Sequence, residues 1–248
     1  MTSSLPVMNV LGLWGGDSVQ DAITSLVFKY GGVYWPLQET SGTVASAIAS
    51  TAGTFDGATV GTMVGQDAGV LGRAYLFDGL NDYVDIYSVA LQNLFNSEAG
   101  AVILFANVNS AGVWTDSTLR RALIISNTSL THSITLRRET TNNTLGLYSG
   151  GRSQTVTTST TEPFCMASTW NKTANEVKFF LNGVQQGSTQ TLLTEFTDSI
   201  NSDECAIGAR AVSSPLNVWS GLISHVVLLT GTPLPAEILN IAQLGGVA

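Results

Sequence analysis

Two segments, one near each end of the chain, repeat apolar residues at the spacing of an α-helix. In residues 18–30 apolar side chains recur every three or four positions, and Ser18 with Asp21 matches the capping box that begins many helices. Residues 235–244 begin with a proline, which favours the first turn of a helix. A glycine pair follows each segment and would end it. The sequence therefore predicts a short N-terminal helix and a short C-terminal helix.

Between these helices the chain consists of short apolar or alternating segments separated by clusters of Asn, Thr, Asp and Gly. The predicted strands are residues 74–77, 83–87, 101–108, 122–125, 133–138, 144–148, 153–158, 164–170, 177–181, 205–208 and 222–229. Residues 101–108 are almost continuously apolar, as in a strand that is covered on both faces. Many short strands with regular turns predict an all-β fold, a two-sheet antiparallel jelly-roll sandwich.

Residues 1–16 form an apolar N-terminal arm that lacks the helical or alternating spacing of the rest. Its apolar side chains are predicted to contact another protein or another copy of the chain: Leu5, Val7, Met8, Leu11, Leu13 and Trp14. Burying a Leu or Met stabilises a protein by roughly 1.5–3 kcal/mol, so leaving such side chains in water is unfavourable. No internal repeat or long linker divides the remainder, so we predict one domain over residues 17–248.

Five motifs carry a family resemblance by their order along the chain. They are an aromatic pair followed by a Ser-Gly-Thr turn in 33–43, a Phe-Asp-Gly turn with an Asp-Tyr-Val strand in 75–84, a central hairpin in 167–183, a strand in 207–210, and a closing strand and helix in 219–238. This order resembles the concanavalin A-like domains of the laminin-G type. The resemblance implies a jelly roll of two antiparallel sheets, one of them concave. It does not imply one function, because glycan-binding modules, adhesion domains, glucanases and structural parts of phage virions share this fold.

The charge of the chain narrows the range of its partners. Only 11% of the residues are charged, and the formal net charge is −8 with ten Lys and Arg. Binding to nucleic acid or to an anionic membrane depends on cations that this sequence largely lacks, so we predict neither partner. Cys165 and Cys205 lie in apolar strand-like segments and are interpreted as buried small residues rather than as a disulfide framework.

The acidic residues do not form a recognisable catalytic or metal-binding pattern. No predicted strand carries the pair of closely spaced carboxylates that a glucanase needs, so we predict that the protein is not an enzyme. We also predict no cofactor. The resemblance suggests calcium, but residues 44–48 and Ser224-His225 occupy the positions where the family carries acidic ligands, so calcium is disfavoured. Three further acidic residues are interpreted as turn-forming, solvent-facing side chains that need no ion: Asp78, Asp82 and Asp85.

Glycan binding commonly uses an exposed aromatic ring that stacks on a sugar, beside a hydrogen-bonding carboxylate. Trp114 and Asp116 lie in a predicted loop after a buried strand and are the best candidates for such a site. The alternative is that Trp114 packs on the sheet edge or on a neighbouring subunit. Trp35 and Trp170 fall in strand motifs and are assigned to the core.

The fold, the missing catalytic pair and the arm together favour a structural protein of a bacteriophage virion, such as a capsid decoration protein or another surface or tail component. Its predicted partners are other virion proteins, further copies of itself in a homo-oligomer such as a trimer, and cell-surface glycans. The first residues lack the basic and continuously apolar pattern of a secretory leader, so we expect synthesis in the host cytoplasm and a final location in the virion. The alternative function is a cellular carbohydrate-binding, lectin-like module.

Overall fold

The computed structural model describes residues 18–61, 65–69, 72–128, 130, 133–193, 199–210 and 213–248. The predicted arm, with Leu5, Val7, Met8, Leu11, Leu13 and Trp14, lies outside the described residues. Helices and strands are numbered along the chain. The helices of the described part are α1 (Val19–Tyr30), α2 (Val89–Leu94) and α3 (Pro235–Leu244), and a 3-10 turn spans Ala111–Trp114.

One sheet, called the back sheet here, has nine strands among the described residues. They are β1 (Gly32–Trp35), β3 (Ile48–Ala49), β5 (Gly65–Gly69), β6 (Gly72–Asp78), β8 (Ala99–Ala106), β13 (Phe164–Asn171), β14 (Glu176–Leu181), β15 (Val184–Gln185) and β17 (Ser220–Leu229). The order is β15-β14-β13-β8-β17-β1-β3, and β6 pairs with both β17 and β5. The long strand β17 therefore holds the sheet together, because it pairs with β1, β6 and β8.

The other sheet, called the front sheet here, has eight strands in the part of the chain that the structure describes. They are β2 (Val44–Ala45), β4 (Gly57–Val60), β7 (Tyr83–Asp85), β9 (Arg120–Ser126), β10 (Ser133–Arg138), β11 (Thr144–Ser149), β12 (Arg152–Thr157) and β16 (Cys205–Ile207). The order is β12-β11-β10-β9-β16-β7-β4-β2, and all the paired strands run antiparallel. The predicted all-β sandwich of two antiparallel sheets, with a short helix near each end, is confirmed.

The main core lies between the two sheets and is built from alternate side chains of their strands. Trp35 and Trp170 belong to it, as predicted, and only 0% and 3% of their surfaces are exposed. The indole N–H of Trp35 donates to the carbonyl oxygen of Phe55 at 2.8 Å, which satisfies its polar atom inside the core. The front and back sheets therefore face each other across a closed apolar layer.

Helices α1 and α3 cover the outer face of the back sheet. Their buried apolar side chains, such as Ile23 and Ile241, pack on the outward side chains of β1, β8 and β13 in a second apolar cluster. The predicted cap of α1 is confirmed, because the Ser18 hydroxyl oxygen accepts a hydrogen bond from the backbone N–H of Asp21 at 3.2 Å. Lys29 of α1 forms an ion pair with Glu237 of α3 at 2.7 Å. No helix among the described residues has the length and apolarity needed to span a bilayer.

The two cysteines occupy different layers. Both are buried and free, as predicted. Cys165 lies in the cluster between the back sheet and the helices, whereas Cys205 lies in the core between the sheets. Burial raises the pKa of each thiol to about 12, so both are held protonated and unreactive in the folded protein.

Candidate functional site

The two sheets differ in what their outer faces present. The helices occupy the outer face of the back sheet, whereas the outer face of the front sheet carries charged and aromatic side chains. We call this surface the front face, and its defining side chains are Tyr83, Asp85, Arg121, Arg137, Tyr148 and Glu204. Buried charged side chains are rare unless they are paired or functional, so the front face is the strongest candidate for a functional site.

A β-bulge places two arginines side by side on the front face. Leu123 of β9 and Leu136 of β10 lie opposite each other and both point into the core. The next pair in the register is Arg121 with Arg137, because the register shifts there and leaves Ala122 without a partner in β10. Strict alternation from Leu123 would turn Arg121 inward, so the bulge is what brings it to the front face.

Arg137 belongs to a compact cluster with Glu139 and Tyr148. Its guanidinium lies 4.0 Å from the centre of the Tyr148 ring, and its Nε donates to Glu139 Oε1 at 2.9 Å. The Tyr148 hydroxyl donates to the same carboxylate oxygen at 2.6 Å. Burial, and then this hydrogen bond, raise the pKa of Tyr148 above its ordinary value. A Cβ at Gly146 would collide with Glu139 Oε1, so the cluster depends on a glycine beneath it.

Arg121 has no such cluster. Only 7% of its surface is exposed, and neither Nε nor Nη1 has a hydrogen-bond partner among the described residues. Burial, followed by the like charges of Arg137 and Arg210, lowers the pKa of the Arg121 guanidinium to about 10. A buried donor without a partner destabilises the folded state by roughly 1–3 kcal/mol, so Arg121 is an unfavourable feature of the ligand-free protein.

Glu204 supplies an unpartnered acceptor on the same face. It directly precedes β16, the strand that pairs with β9, and 7% of its surface is exposed. Its Oε1 accepts from Arg210 Nε at 3.3 Å, whereas its Oε2 is buried with no partner in the described part of the chain. Arg121 thus has unpartnered N–H donors and Glu204 an unpartnered carboxylate oxygen, all buried just beneath the front face, so a ligand reaches them only when the atoms that cover them move.

A shallow depression of about 450 Å³ lies on the front face, although neither Arg121 nor Glu204 lines it. It is lined by Ala58, Val60, Tyr83, Asp85, Ser202, Asp203 and Ser213. Burial raises the pKa of the Asp85 carboxyl above its ordinary value, and Asp203 acts in the same direction. The Asp203 Oδ1 accepts from the backbone N–H of Ser213 at 2.6 Å. The front face thus has an acidic end at the depression and a basic end at Arg121 and Arg137.

The structure places the predicted glycan residue Trp114 in the core, so the expectation of an exposed ring is wrong. Only 1% of its surface is exposed, its indole N–H donates to the Thr160 carbonyl oxygen at 2.8 Å, and its ring packs against Phe164. The alternative, a loop aromatic that packs on the sandwich, describes it correctly. A ring buried on both faces offers no surface on which a sugar can stack.

Asp116, the other predicted glycan residue, serves the sandwich. It forms ion pairs with Arg120 at 2.8 Å and with the fully buried Arg138 at 3.4 Å. Burial alone would raise the pKa of the Asp116 carboxyl, but the hydrogen bond from Arg120 and the charge of Arg138 hold it below its ordinary value. Asp116 therefore neutralises arginines at the ends of β9 and β10, and it does not share a site with Trp114.

Of the three acidic residues considered for calcium, Asp78 and Asp82 form a turn, whereas Asp85 lies in β7. Asp78 Oδ1 accepts from the backbone N–H of Leu80 at 2.7 Å, and Asp82 Oδ2 accepts from that of Asp78 at 3.0 Å. Asp82 is 2% exposed, so the expectation that it faces solvent is wrong; it is held inside the turn by these bonds. Within the described residues, no three His, Cys, Asp or Glu side chains are grouped so that they could hold a metal ion.

Sequence reasoning missed the front face because no single motif marks it. One signal was present in the sequence. Four of the ten basic residues occur as the dipeptides Arg120-Arg121, directly before a predicted strand, and Arg137-Arg138, at the end of another. In a strand, one arginine of each dipeptide points outward and the other inward. Which of them is outward depends on the bulge, and the sequence does not reveal the bulge.

Comparison with solved structures identifies similar folds. Domain 4 of AbnA, an extracellular GH43 arabinanase from Geobacillus stearothermophilus solved with arabinotriose, matches 86% of this chain and 98% of its own length at 16% identity and a TM-score of 0.58. Trypanosoma rangeli sialidase in complex with sialic acid matches 86% of this chain at 8% identity and a TM-score of 0.63. The binding domain of botulinum neurotoxin serotype D matches 87% of this chain at 11% identity and a TM-score of 0.55.

These matches differ in how much of the other protein they cover. This chain spans 33% of the sialidase and 52% of the neurotoxin binding domain, but nearly all of the arabinanase domain. No protein-family model and no curated protein matches the sequence. At these identities the likenesses show a shared β-sandwich fold and nothing more.

Proposed function

We propose that this domain is a non-catalytic carbohydrate-binding module that binds its glycan on the front face. The observation that carries the proposal is the pair of unpartnered groups there, the N–H donors of Arg121 and the Oε2 acceptor of Glu204. A sugar hydroxyl both donates and accepts hydrogen bonds, so a saccharide satisfies both groups at once. The likeness to an arabinanase domain solved with arabinotriose supports the same class of ligand.

The carboxylates of the front face support binding rather than hydrolysis. A glycosidase uses one carboxyl group as an acid and a second as a nucleophile or base. Here Glu139 is already bonded to Arg137 and Tyr148, and Glu204 is bonded to Arg210. Both are therefore oriented by arginines, as in a binding surface. We accordingly propose that bound oligosaccharides are released without cleavage.

The proposal is tested by screening the protein against immobilised oligosaccharides and then measuring affinity by calorimetry. The substitution Glu204→Gln removes the negative charge of this acceptor. It should weaken the affinity for the saccharide by about ten-fold, since a hydrogen bond to a charged group contributes roughly 1.5–3 kcal/mol. The matched control is Glu98→Gln, because Glu98 forms an exposed ion pair with Lys172 away from the front face. Equal affinity of the two variants, or release of reducing sugar from the bound ligand, would contradict the proposal.

We further propose that the domain works as a surface component of a bacteriophage virion, made in the host cytoplasm and held in a homo-oligomer by residues 1–16. Two features support the oligomer. The arm is strongly apolar, and a groove of about 360 Å³ lies between α1 and α3. Leu26, Leu234 and Ile241 line this groove, and Leu234 is 60% exposed. The occupant we propose is the arm of a neighbouring copy.

Deletion of residues 1–16 tests the assembly. The truncated protein should remain a folded sandwich, because α1 begins after the arm and its buried side chains pack on the back sheet. It should become monomeric in light scattering and should no longer sediment with particles, whereas the full chain forms the oligomer. A full chain that is monomeric would contradict the proposed oligomer, and a truncated chain that unfolds would show that the arm belongs to the core.

A further inference from the structure

Two arginines of the front face, Arg121 and Arg137, and the neighbouring Arg210 differ in how their charge is balanced. Arg137 pairs with Glu139 at 2.9 Å, and Arg210 pairs with Glu204 at 3.3 Å. Arg121, on the strand between them, has no carboxylate partner among the described residues. Arg121 lies opposite Arg137 in the strand register, and the like charges of Arg137 and Arg210 act on it more strongly than the opposite charges of Glu204 and Glu139.

An unbalanced guanidinium at this depth favours an ionised ligand over a neutral one. Arg121 is 93% buried by its neighbours, since 7% of its surface is exposed, and charge–charge interactions strengthen as water is excluded. A neutral hydroxyl would satisfy its N–H groups but would leave its charge only partly offset by Glu204 and Glu139. A planar guanidinium forms its strongest hydrogen bonds with the oxygens of a carboxylate, phosphate or similar oxyanion.

We propose that the ligand of the front face is an acidic saccharide, and that its oxyanion pairs with Arg121. This inference rests on the proposed carbohydrate-binding function and names its ligand class. The polarity of the front face then orients the ligand. The oxyanion lies at the basic end, over Arg121, while sugar hydroxyls donate to Glu204 Oε2 and to the acidic end around Asp85 and Asp203. Such an arrangement requires an anion and free hydroxyls on one saccharide.

The experiment compares matched oligosaccharides on the full chain by calorimetry. The probes are trigalacturonate, its carboxyl-reduced neutral counterpart and a sulfated galactose trisaccharide, so that a sugar carboxylate and a sulfate ester are separated. At least one of the two anionic probes should bind about ten-fold or more tightly than the neutral one, because a charge-assisted bond is roughly twice as strong as a neutral one. The better of the two identifies the oxyanion.

Three variants test whether Arg121 is responsible for the preference for anionic over neutral probes. Arg121→Gln should remove the preference for the anionic probe, and Arg121→Lys, which keeps the charge but loses the planar fork, should retain only part of it. Lys172→Gln removes one positive charge from an exposed ion pair outside the front face and should leave the preference unchanged. Circular dichroism and the melting temperature establish that each variant is folded before its affinity is compared.

The outcomes separate this inference from the proposed function. If neutral glycans bind as tightly as anionic ones, and Glu204→Gln weakens them, the module binds carbohydrate but the acidic ligand class is wrong. If anionic probes bind equally well to Arg121→Gln and to the wild-type chain, the assignment of Arg121 is wrong. If no saccharide of either series or of the wider screen binds the full chain, the proposed function itself is wrong.

Discussion

At the scale of single residues, Arg121 shows how a binding surface and stability oppose each other. A buried guanidinium whose Nε and Nη1 lack partners destabilises the ligand-free fold. Replacing it with an apolar side chain of similar length removes that penalty. Residues at functional sites are often retained although they reduce stability. Arg121 and Arg137, which face each other across β9 and β10, should therefore have opposite effects on the stability of the fold.

Arg121→Met is expected to stabilise the protein by about 1–3 kcal/mol, the usual cost of a buried unsatisfied polar group. The free energy of unfolding in urea measures this directly. The control is Arg137→Met, the same substitution at the opposing position. Arg137 has an ion pair at 2.9 Å and stacks on Tyr148, so its replacement should lower stability instead. A lower stability for Arg121→Met would mean that its guanidinium is satisfied in solution.

Trp114 and Arg121 show that the environment of a single residue is often not predictable from the sequence. A tryptophan in a loop is ambiguous, because packing and exposure are decided by side chains such as Phe164 that are far away along the chain. Residue types with only one favourable environment are easier to assign to the interior or the surface from the sequence. Cys165, Trp35 and Trp170 were correctly assigned to the interior from their apolar neighbours alone.

At the scale of elements, Asp116 connects two neighbouring strands of the front sheet. It bonds to Arg120 in β9 and to Arg138 in β10, and Arg138 is fully buried. These arginines hold the pKa of Asp116 below its ordinary value, although burial alone acts in the opposite direction. A carboxyl whose pKa is lower in the folded state contributes stability above its unfolded pKa of about 3.9 and loses it as the pH falls through the folded pKa.

The wild-type protein should therefore lose stability on acidification partly through Asp116. Asp116→Asn should be less stable than wild type near pH 6, by about 1 kcal/mol given its partial exposure. The difference should begin to narrow as the pH falls below about 4, the pKa of the unfolded carboxyl, and should be smallest below the lower folded pKa, where the wild-type carboxyl is protonated in both states. Urea unfolding at several pH values measures both curves. A constant difference across this range would show that the ion pairs contribute little and that the substitution acts through packing.

The elements themselves were predicted unevenly. The helices α1 and α3 were found because capping residues and glycine pairs bound them closely. Strands of two residues, such as β2 and β3, carry too little pattern to be recognised. The bulge at Ala122 was also invisible, because a bulge is a property of the pairing between β9 and β10 and not of either strand alone. The candidate site escaped prediction for this reason.

At the scale of the whole molecule, the fold consists of stacked layers: the helices, the back sheet and the front sheet. The sequence predicted the two sheets and both terminal helices. It did not predict that α1 and α3 lie together on the back sheet, since Glu237 meets Lys29 and Tyr30 across more than two hundred residues. This placement leaves the outer face of the front sheet without a covering helix in the described part, so the front face is the sheet surface on which we propose that a ligand binds.

The two cysteines lie in different layers, so the rates at which a thiol reagent labels them report on partial unfolding of the protein. A thiol reagent reaches Cys165 only when the helices separate from the back sheet, and reaches Cys205 only when the two sheets part. Local opening usually requires less free energy than global unfolding. We therefore expect Cys165 to be labelled faster than Cys205 under native conditions, as measured by mass spectrometry of peptides after timed exposure to the reagent. Equal rates would mean that the helical layer and the sandwich open as a single cooperative unit.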